Sequence, residues 1–305
     1  MRLVILGAGA IGSLFGGLLC KVGEDVTLIG RPAHIRAIRS HGLHIDGVTG
    51  RKTIRVNAEV SPSKVGEADI VICTVKAYDT RRAAADAKTL MGKETLFLCL
   101  QNGLDVEKEA AQEISVDKIA RGITNNGCLR IKPGYIKHTG LGDTIISCPS
   151  DNWRARINDL AKTMSSAGLP TTITEEIDKV VLSKVLVNVG INAIGALTRQ
   201  KNGDLAKSPL LRNLMRSAIE EALRVVEKLG TTMVDENIIE KTFKIAETTS
   251  ANKNSMLQDV ENGKRTEIDF INGAIVRLGE KMNVSTPINS TLTALVKALD
   301  QGPRE

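Results

Sequence analysis

Short apolar runs alternate with glycine-rich and amphipathic stretches at the start of the chain. Residues Leu3–Leu6 form a continuous apolar run, which is typical of a strand buried in a parallel sheet. Ser13–Val22 has helical composition, and Asp25–Ile29 indicates a second strand. The pattern therefore predicts a βαβ unit at the beginning of an α/β domain.

The turn between this first strand and helix carries a G-x-G-x-x-G motif, GAGAIG at residues 7–12. In this context Gly7 permits a tight turn, Gly9 lets the backbone approach a pyrophosphate, and Gly12 allows close packing of helix on strand. Free N–H groups and the helix dipole then favour an anion at the helix start. We therefore predict a dinucleotide site formed by Gly7, Gly9, Ala10, Ile11 and Gly12.

The end of the second strand bears on the choice of cofactor. NAD-preferring sites usually place a carboxylate there to bind the ribose 2′-hydroxyl, but here the chain continues with Gly30 and Arg31. A guanidinium suits a 2′-phosphate, so we predict NADP(H) with Arg31 as its ligand. The alternative is that Arg31 is an ordinary surface arginine.

Two later strands are predicted at Ala68–Val75, followed by Lys76, and at Thr95–Leu100, followed by Gln101, Asn102 and Gly103. Ligands of open parallel sheets bind beyond the carboxyl ends of the strands. Lys76 and Asn102 are therefore expected on the same side as Gly9. A surface lysine and a simple Asn-Gly turn are the alternatives.

From about Glu175 the pattern changes to long helical periodicity. Residues 180–197 are apolar almost all round, as expected of a helix in a domain core. Lys184, Asn188 and Asn192 are set into this helix at a spacing of four residues. Each step turns by only about 40°, so these three residues, here called the polar stripe, share one face over about 12 Å.

The polar stripe has the composition of a proton-donating site. Burial disfavours the charged form of an ammonium group, and a lysine nearer to neutrality beside amides can protonate a carbonyl oxygen. The alternative is that Asn188 and Asn192 bridge helices while Lys184 extends to water.

A second polar cluster lies at residues 252–267. Asn262-Gly263 is a helix-stop signal, which predicts Ser255 near the end of one helix. Thr266 and Asp269 form a T-x-x-D pattern that predicts an N-cap at Thr266, with Glu267 in the first helical turn. Spacing alone favours a structural role for Glu267 over a catalytic one.

Composition narrows the function classes. The 305 residues include 41 Lys plus Arg and 35 Asp plus Glu, a net charge of +6, and only 2% aromatic residues, which disfavours a dedicated nucleic-acid binder. The five cysteines are scattered without a C-x-x-C pattern, which favours a cytoplasmic protein without disulfides or zinc. All four histidines lie in polar stretches of the first half, so no histidine mechanism or metal site is predicted.

One uncharged segment, residues 3–20, has the length of a short membrane span. Five of its residues are glycine, which is unfavourable in a helix, and its start is the predicted first strand. We therefore expect no membrane segment here.

Together these features resemble the ketopantoate reductase (2-dehydropantoate 2-reductase) family over the whole chain. The matching pieces are LGAGAIGS at residues 6–13, Arg31, Lys76, Gln101-Asn102-Gly103, the polar stripe, NSMLQD at 254–259 and TEIDFING at 266–273. The resemblance implies an NADP-binding Rossmann-type parallel-sheet domain at residues 1–174. It further implies an all-helical substrate domain like that of 6-phosphogluconate dehydrogenase at 175–305, with the active site between the two.

The resemblance also implies residue roles. Lys184 would protonate the forming alkoxide while hydride reaches C2 of a 2-oxo acid. Asn188 and Asn192 would bind the substrate's oxygens, and Ser255 with Asn102 would hold its carboxylate. Glu267 would order cofactor and acid and is then favoured as a catalytic residue; Lys76 and Asn102 would contact the cofactor.

Three readings stay open on the sequence. The first is NADPH-dependent reduction of ketopantoate to pantoate for pantothenate and coenzyme A synthesis. The second is a reductase of another branched 2-oxo acid or an opine-type dehydrogenase, since a fold does not determine a substrate. The third is a non-catalytic NADP-binding sensor, and a homodimer remains open in every case.

Overall fold

The computed structural model describes residues 1–231 and 237–301. The chain divides into two compact units. The first comprises residues 1–101 and 105–177, and the second comprises residues 102–104 together with the chain from 178 onward. The first unit is α/β and the second is helical in its described part.

The first unit contains twelve strands and five helices. Its strands are β1 (Arg2–Leu6), β2 (Asp25–Ile29), β3 (Leu43–Gly47), β4 (Lys52–Ile54), β5 (Asn57–Glu59), β6 (Ile70–Cys73), β7 (Leu96–Cys99), β8 (Ile119–Thr124), β9 (Gly127–Lys132), β10 (Tyr135–Gly140), β11 (Thr144–Ile146) and β12 (Thr171–Ile173). Its helices are α1 (Ala10–Lys21), α2 (Pro32–His41), α3 (Thr80–Asp86), α4 (Val106–Ala111) and α5 (Arg154–Ser166).

The main sheet has eight strands in the order β12-β11-β8-β7-β6-β1-β2-β5. Strands β5, β2, β1, β6, β7 and β8 are parallel, and β11 joins β8 in the antiparallel sense. In register, Leu6 of β1 pairs with Ile29 of β2 and with Cys73 of β6. The sheet extends from β1 in two directions, through β2 and β5 on one side and through β6 and β7 on the other. Open α/β sheets bind ligands where the strand order reverses in this way.

The predicted strands are confirmed, and their composition explains their position. Every residue of β6 and β7 is buried, and so is β1 after Arg2. Parallel strands covered by helices on both faces need such continuous apolar sequences, because both sets of alternating side chains enter a core. The uncharged segment 3–20 is thus β1, a glycine turn and most of α1.

A second sheet of four strands, β4-β3-β10-β9, was not predicted from the sequence. Strand β10 pairs parallel with β3 and antiparallel with β9. The imidazole of His138 on β10 is fully buried, and its Nε2 lies 3.0 Å from Oδ1 of Asn126. Long-range strand pairing therefore buries His138, although it lies in a polar stretch of the sequence.

The second unit is built around one apolar helix. Its helices are α6 (Ile177–Thr198), α7 (Asn202–Lys207), α8 (Pro209–Lys228), α9 (Ile238–Thr248), α10 (Ser255–Glu261), α11 (Asn272–Met282) and α12 (Pro287–Gln301). Helix α6 is long and apolar enough to span a membrane by length and composition, but most of it is buried among protein atoms. It is thus the predicted core helix.

Candidate functional site

The three glycines of the turn after β1 differ in the space around them. Gly7 has φ +102°, and a Cβ there would lie 2.6 Å from the backbone N of Val75. A Cβ on Gly12 would lie 2.4 Å from the carbonyl oxygen of Gly7 and from Oγ1 of Thr74. At Gly9 the nearest atom would be 3.9 Å away, so the space over Gly9 is open. This is the arrangement that a bound pyrophosphate requires.

Helix α1 begins directly at this open space. Gly9 is its N-cap residue and offers no side chain, so the first N–H groups have no side-chain acceptor. Ala10 and Ile11 are half-buried at this end, whereas the following residues are buried. The residues present therefore fit an anionic group such as a dinucleotide pyrophosphate.

Arg31 is exposed and lies two residues after β2, at the N-cap position of α2. The loop that carries it contacts the glycine turn, because the backbone N–H groups of Gly7 and Ala8 both donate to the carbonyl of Ile29, at 3.0 and 2.7 Å. A Cβ on Gly30 would lie 2.9 Å from Cβ of Ala8. The structure thus brings the Arg31 loop and the glycine turn together.

Lys76 is half-buried and follows a segment that supports the glycine turn from the other side. Thr74 donates from its backbone N to the carbonyl of Leu6 at 2.8 Å and from Oγ1 to the carbonyl of Gly7 at 2.8 Å. Thr74 was not among the residues predicted from the sequence, although its place directly after a buried strand was a usable signal.

The polar stripe lies on α6 as its spacing predicts. Lys184 and Asn188 are half-buried and Asn192 is buried, among neighbours that are almost all fully buried. Lys184 is therefore less buried than the sequence suggested. In the described part of the chain, the side-chain amides of Asn188 and Asn192 make no hydrogen bond to protein. Amides without a protein partner can bind a polar ligand, so this face of α6 is suited to one.

Two further asparagines, which received no role from the sequence, contact the backbone of α6 beside the polar stripe. Nδ2 of Asn254 lies 3.5 Å from the carbonyl of Ile191, and Nδ2 of Asn272 lies 3.3 Å from the carbonyl of Val189. Gly195 permits this approach, because a Cβ there would lie 2.2 Å from Nδ2 of Asn254. These contacts hold the segments bearing Ser255 and Glu267 against one helix.

Ser255 is exposed and is the first residue of α10, not a residue near the end of a helix as predicted. Asn254 is the N-cap, and its Oδ1 accepts from the N–H of Leu257 at 2.9 Å. The helix does end at Glu261, before Asn262, as the Asn-Gly signal indicates. The error arose because the preceding helix, α9, stops earlier, at Thr248.

Thr266 does not cap a helix, which corrects a second prediction. Its backbone N and its Oγ1 both donate to the carboxylate of Asp300 on α12, the hydroxyl at 2.8 Å. Glu267 is buried and itself precedes a short 3-10 turn at Ile268–Phe270. The predicted cap failed because a distant carboxylate satisfies Thr266.

Asn102 belongs by its contacts to the helical unit, with Gly103 and Leu104. The backbone N of Leu104 donates to the carbonyl of Phe270 at 2.9 Å. Gly103 has φ +95°, and a Cβ there would lie 2.6 Å from Cβ of Phe270. The structure thus brings the half-buried Asn102 to the same segment as Glu267.

Within residues 1–231 and 237–301, no group of three or more His, Cys, Asp or Glu residues is placed to hold a metal ion. His34 also lies in a polar stretch of the sequence but is buried on α2. Burial lowers its pKa from 6.5 to about 4, with a smaller effect from the positive charge of Arg130.

Comparison with known proteins identifies the family. A family model described as "Ketopantoate reductase PanE/ApbA" matches residues 3–151, and one described as "Ketopantoate reductase PanE/ApbA C terminal" matches residues 176–300. The chain belongs to the ketopantoate reductase family. The predictions of this family, of the fold class and of an oxidoreductase are thereby confirmed.

Curated relatives cover nearly the whole chain. The 2-dehydropantoate 2-reductase of Pyrococcus horikoshii is 40% identical over 299 residues, 98% of this chain and 97% of the relative. That of Halobacterium salinarum is 36% identical over 304 residues, 97% of this chain and 98% of the relative.

Solved structures agree with the fold. The PanE/ApbA family ketopantoate reductase of Ralstonia eutropha superimposes with a TM-score of 0.92 at 32% identity, covering 99% of both chains. A D-mandelate dehydrogenase solved with NADH and anilino(oxo)acetate gives a TM-score of 0.91 at 28% identity, covering 99% of this chain and 98% of the other.

Proposed function

We propose that this protein reduces 2-dehydropantoate to pantoate with NADPH, a step of pantothenate and coenzyme A biosynthesis. Family membership supports the reaction class. The observation that carries the proposal for this chain is the presence of two complementary features. These are a glycine turn with open space over Gly9 and a polar stripe whose amides lack protein partners within the described residues.

The cofactor would be held by the first unit. Its pyrophosphate would lie over Gly9 and at the N–H groups of Ala10 and Ile11, where the helix dipole favours negative charge. Arg31 is exposed, and no carboxylate occupies its position, which supports binding of a 2′-phosphate. Lys76, which follows the segment that supports the glycine turn, would bind the cofactor on the same side of the sheet.

A nicotinamide cofactor bound there would supply the hydride that C2 of the substrate needs. Lys184 would donate a proton from Nζ to the C2 oxygen, so that the carbonyl becomes a hydroxyl and no charge accumulates. An ammonium also stabilises the negative charge that develops on this oxygen during the transfer. The reaction therefore needs neither a metal nor a histidine.

The remaining residues would orient the substrate. Asn188 and Asn192 would hydrogen-bond its oxo and hydroxyl oxygens, and Ser255 with Asn102 would bind its carboxylate. Glu267 would order Lys184 and the cofactor. The short distance in sequence between Asn254, which contacts α6, and the exposed Ser255 supports a place for Ser255 close to the stripe.

The test measures oxidation of NADPH or of NADH by the purified protein in the presence of 2-dehydropantoate. Loss of the absorbance of the reduced nicotinamide reports the reaction. Rapid oxidation of NADPH with weak use of NADH is the expected result. Oxidation of neither cofactor would contradict the proposal. If NADP⁺ still bound tightly while no 2-oxo acid was reduced, the protein would be a nucleotide-binding sensor.

A second candidate is reduction of a different 2-oxo acid. The similarity to a D-mandelate dehydrogenase, solved with an aromatic oxo acid analogue, favours keeping it. Comparison of kcat/KM for 2-dehydropantoate, for aliphatic branched 2-oxo acids and for phenylglyoxylate separates the candidates. The highest value is expected for 2-dehydropantoate, and a higher value for phenylglyoxylate would favour a mandelate-type enzyme.

We also propose that the protein acts in the cytoplasm on small molecules, without a nucleic-acid or membrane partner. The few aromatic residues and the burial of α6 support this proposal. Fractionation of cells and a mobility-shift assay with DNA and RNA test it. Light scattering of the purified protein decides whether a second copy of the chain is a partner.

A further inference from the structure

His34, on α2 with Arg31 as its N-cap, contacts Ser13, the residue that follows the glycine turn in α1. Its side chain is 2% exposed, and its Nε2 lies 2.9 Å from Oγ of Ser13 in α1. The backbone N of His34 donates to the carbonyl of Arg31 at 3.0 Å, and that of Ser13 donates to the carbonyl of Gly9 at 3.1 Å. A continuous series of hydrogen bonds therefore joins Gly9 to Arg31.

The other ring nitrogen of His34 determines the direction of this contact. The backbone N of Gly134, in the turn between β9 and β10, donates to Nδ1 of His34 at 3.0 Å. Nδ1 is thus an acceptor, so the neutral ring carries its proton on Nε2 and donates to Ser13. Gly134 is held in turn, because its carbonyl accepts from the backbone N of His44 at 2.9 Å.

We propose that His34 is a positioning residue that holds Arg31 at a set distance from the glycine turn and so determines discrimination between NADP(H) and NAD(H). This inference rests on the proposed function, in which Arg31 binds the 2′-phosphate. The pyrophosphate and the 2′-phosphate are joined through one ribose, so the length of this linkage limits the separation at which both protein sites can be occupied. The His34 side chain on α2 reaches Ser13 on α1 and so spans from one site's helix to the other's.

Loss of the His34 contact should change the binding of NADP⁺ and of NAD⁺ to different extents, whereas loss of ordinary core packing should not. A purely structural residue affects the amount of folded protein and hence the binding of both dinucleotides equally. A positioning residue for Arg31 affects the dinucleotide that carries the 2′-phosphate more strongly than the one that lacks it. The ratio of the two dissociation constants is therefore the informative quantity.

The experiment measures Kd for NADP⁺ and for NAD⁺ by calorimetry on the full-length protein, since the two ligands differ only in the 2′-phosphate. His34→Ala is expected to reduce the preference for NADP⁺ by about tenfold, towards that of Arg31→Ala. Ser13→Ala removes the hydrogen bond between Ser13 and His34 with little change of volume. This variant is expected to reduce the preference for NADP⁺ by about threefold. His34→Gln, which can both donate and accept, is expected to restore most of the preference.

Two histidines of the same unit serve as matched controls. His138 is as buried as His34 but lies on β10 and contacts Asn126, and His41 is exposed at the end of α2. Variants His138→Gln and His41→Ala are expected to keep the wild-type ratio within about twofold.

The outcomes separate this inference from the proposed function. A wild-type protein with no preference for NADP⁺ would overturn the assignment of Arg31, and the inference with it. A wild-type preference that persists in both folded His34→Ala and Ser13→Ala proteins would overturn the inference alone. If His34→Ala does not fold, Ser13→Ala and His34→Gln carry the test, and an unchanged ratio in Ser13→Ala counts against it.

Discussion

Single residues of this protein have separable functions, and the glycine turn illustrates this. Gly9 and Gly12 are three residues apart in one motif, yet the space around them is opposite: open at Gly9 and closed at Gly12. The open position leaves room for a ligand, and the closed one is filled by packing. Substitutions at the two positions should consequently affect different measurements.

Gly9→Ala should leave the fold intact and weaken NADP⁺ binding, because φ at Gly9 is −82° and only the ligand would meet the new methyl group. We expect a rise in Kd of about tenfold or more with an unchanged melting temperature. Gly12→Ala should instead lower the free energy of unfolding by about 1–3 kcal/mol, through contact with Gly7 and Thr74. A stable Gly12→Ala protein would show that α1 can shift away from β1.

Lys184→Ala should reduce kcat by about 10²- to 10⁴-fold, the usual contribution of a positioned proton donor. Binding of NADPH, measured by calorimetry, should be unchanged. Lys179→Ala is the control, because Lys179 is also half-buried on α6 but lies about 140° around the helix. Wild-type turnover in Lys184→Ala would exclude Lys184 as the acid.

At the scale of elements, segments distant in sequence support each predicted site. Thr74, after β6, holds the glycine turn after β1. Helix α12 holds the segment of Glu267 through Asp300, and a backbone hydrogen bond from Leu104 joins Asn102 to the same segment. Positioning of the candidate site therefore depends on tertiary contacts.

Asp300→Ala should reduce both stability and turnover. Thr266 is 1% exposed, so loss of its acceptor leaves two buried donors without a partner, at about 1–3 kcal/mol for each. Movement of the adjoining Glu267 should lower kcat by about tenfold. Denaturant unfolding and steady-state kinetics measure the two effects.

Lys297→Ala is the matched control for Asp300→Ala, one turn earlier on α12. Lys297 forms an ion pair of 3.1 Å with Asp269 and is 49% exposed, so its loss should change the free energy of unfolding by less than about 1 kcal/mol. Equal effects of the two variants on turnover would mean that Asp300 has no specific role in positioning Glu267.

At the scale of the whole molecule, buried histidine makes stability depend on pH. The folded protein holds the pKa of His34 at about 4, below the usual 6.5, because burial disfavours the imidazolium. The unfolded chain therefore binds a proton between pH 6.5 and 4 that the folded chain does not. Stability must fall as the pH is lowered through this range.

We expect the melting temperature to decrease from pH 6.5 towards pH 4, with a contribution from His34 of up to about 3 kcal/mol. Burial also lowers the pKa of His138, which adds a change of the same sign. The difference between wild type and His34→Gln isolates one residue, and the variant should lose stability less steeply. Parallel melting curves of the two proteins would contradict the assigned cause.

The sequence by itself determined the features that depend on local pattern. Buried parallel strands, the glycine turn, the position of Arg31 after β2 and the shared face of Lys184, Asn188 and Asn192 all follow from periods of a few residues. Such periods are set by backbone geometry, which acts between near neighbours. The family and the fold class could be predicted from the sequence because they are recognised by these local patterns.

Only the tertiary structure decided the features that depend on distant pairing. The second sheet joins β3 to β10 across about ninety residues, and it buries His138 and places Gly134 on His34. The acceptor of Thr266 is Asp300, 34 residues away, which is why the predicted cap was wrong. A hydrogen-bond donor takes whichever acceptor the fold presents to it, and no local pattern specifies an acceptor on another element.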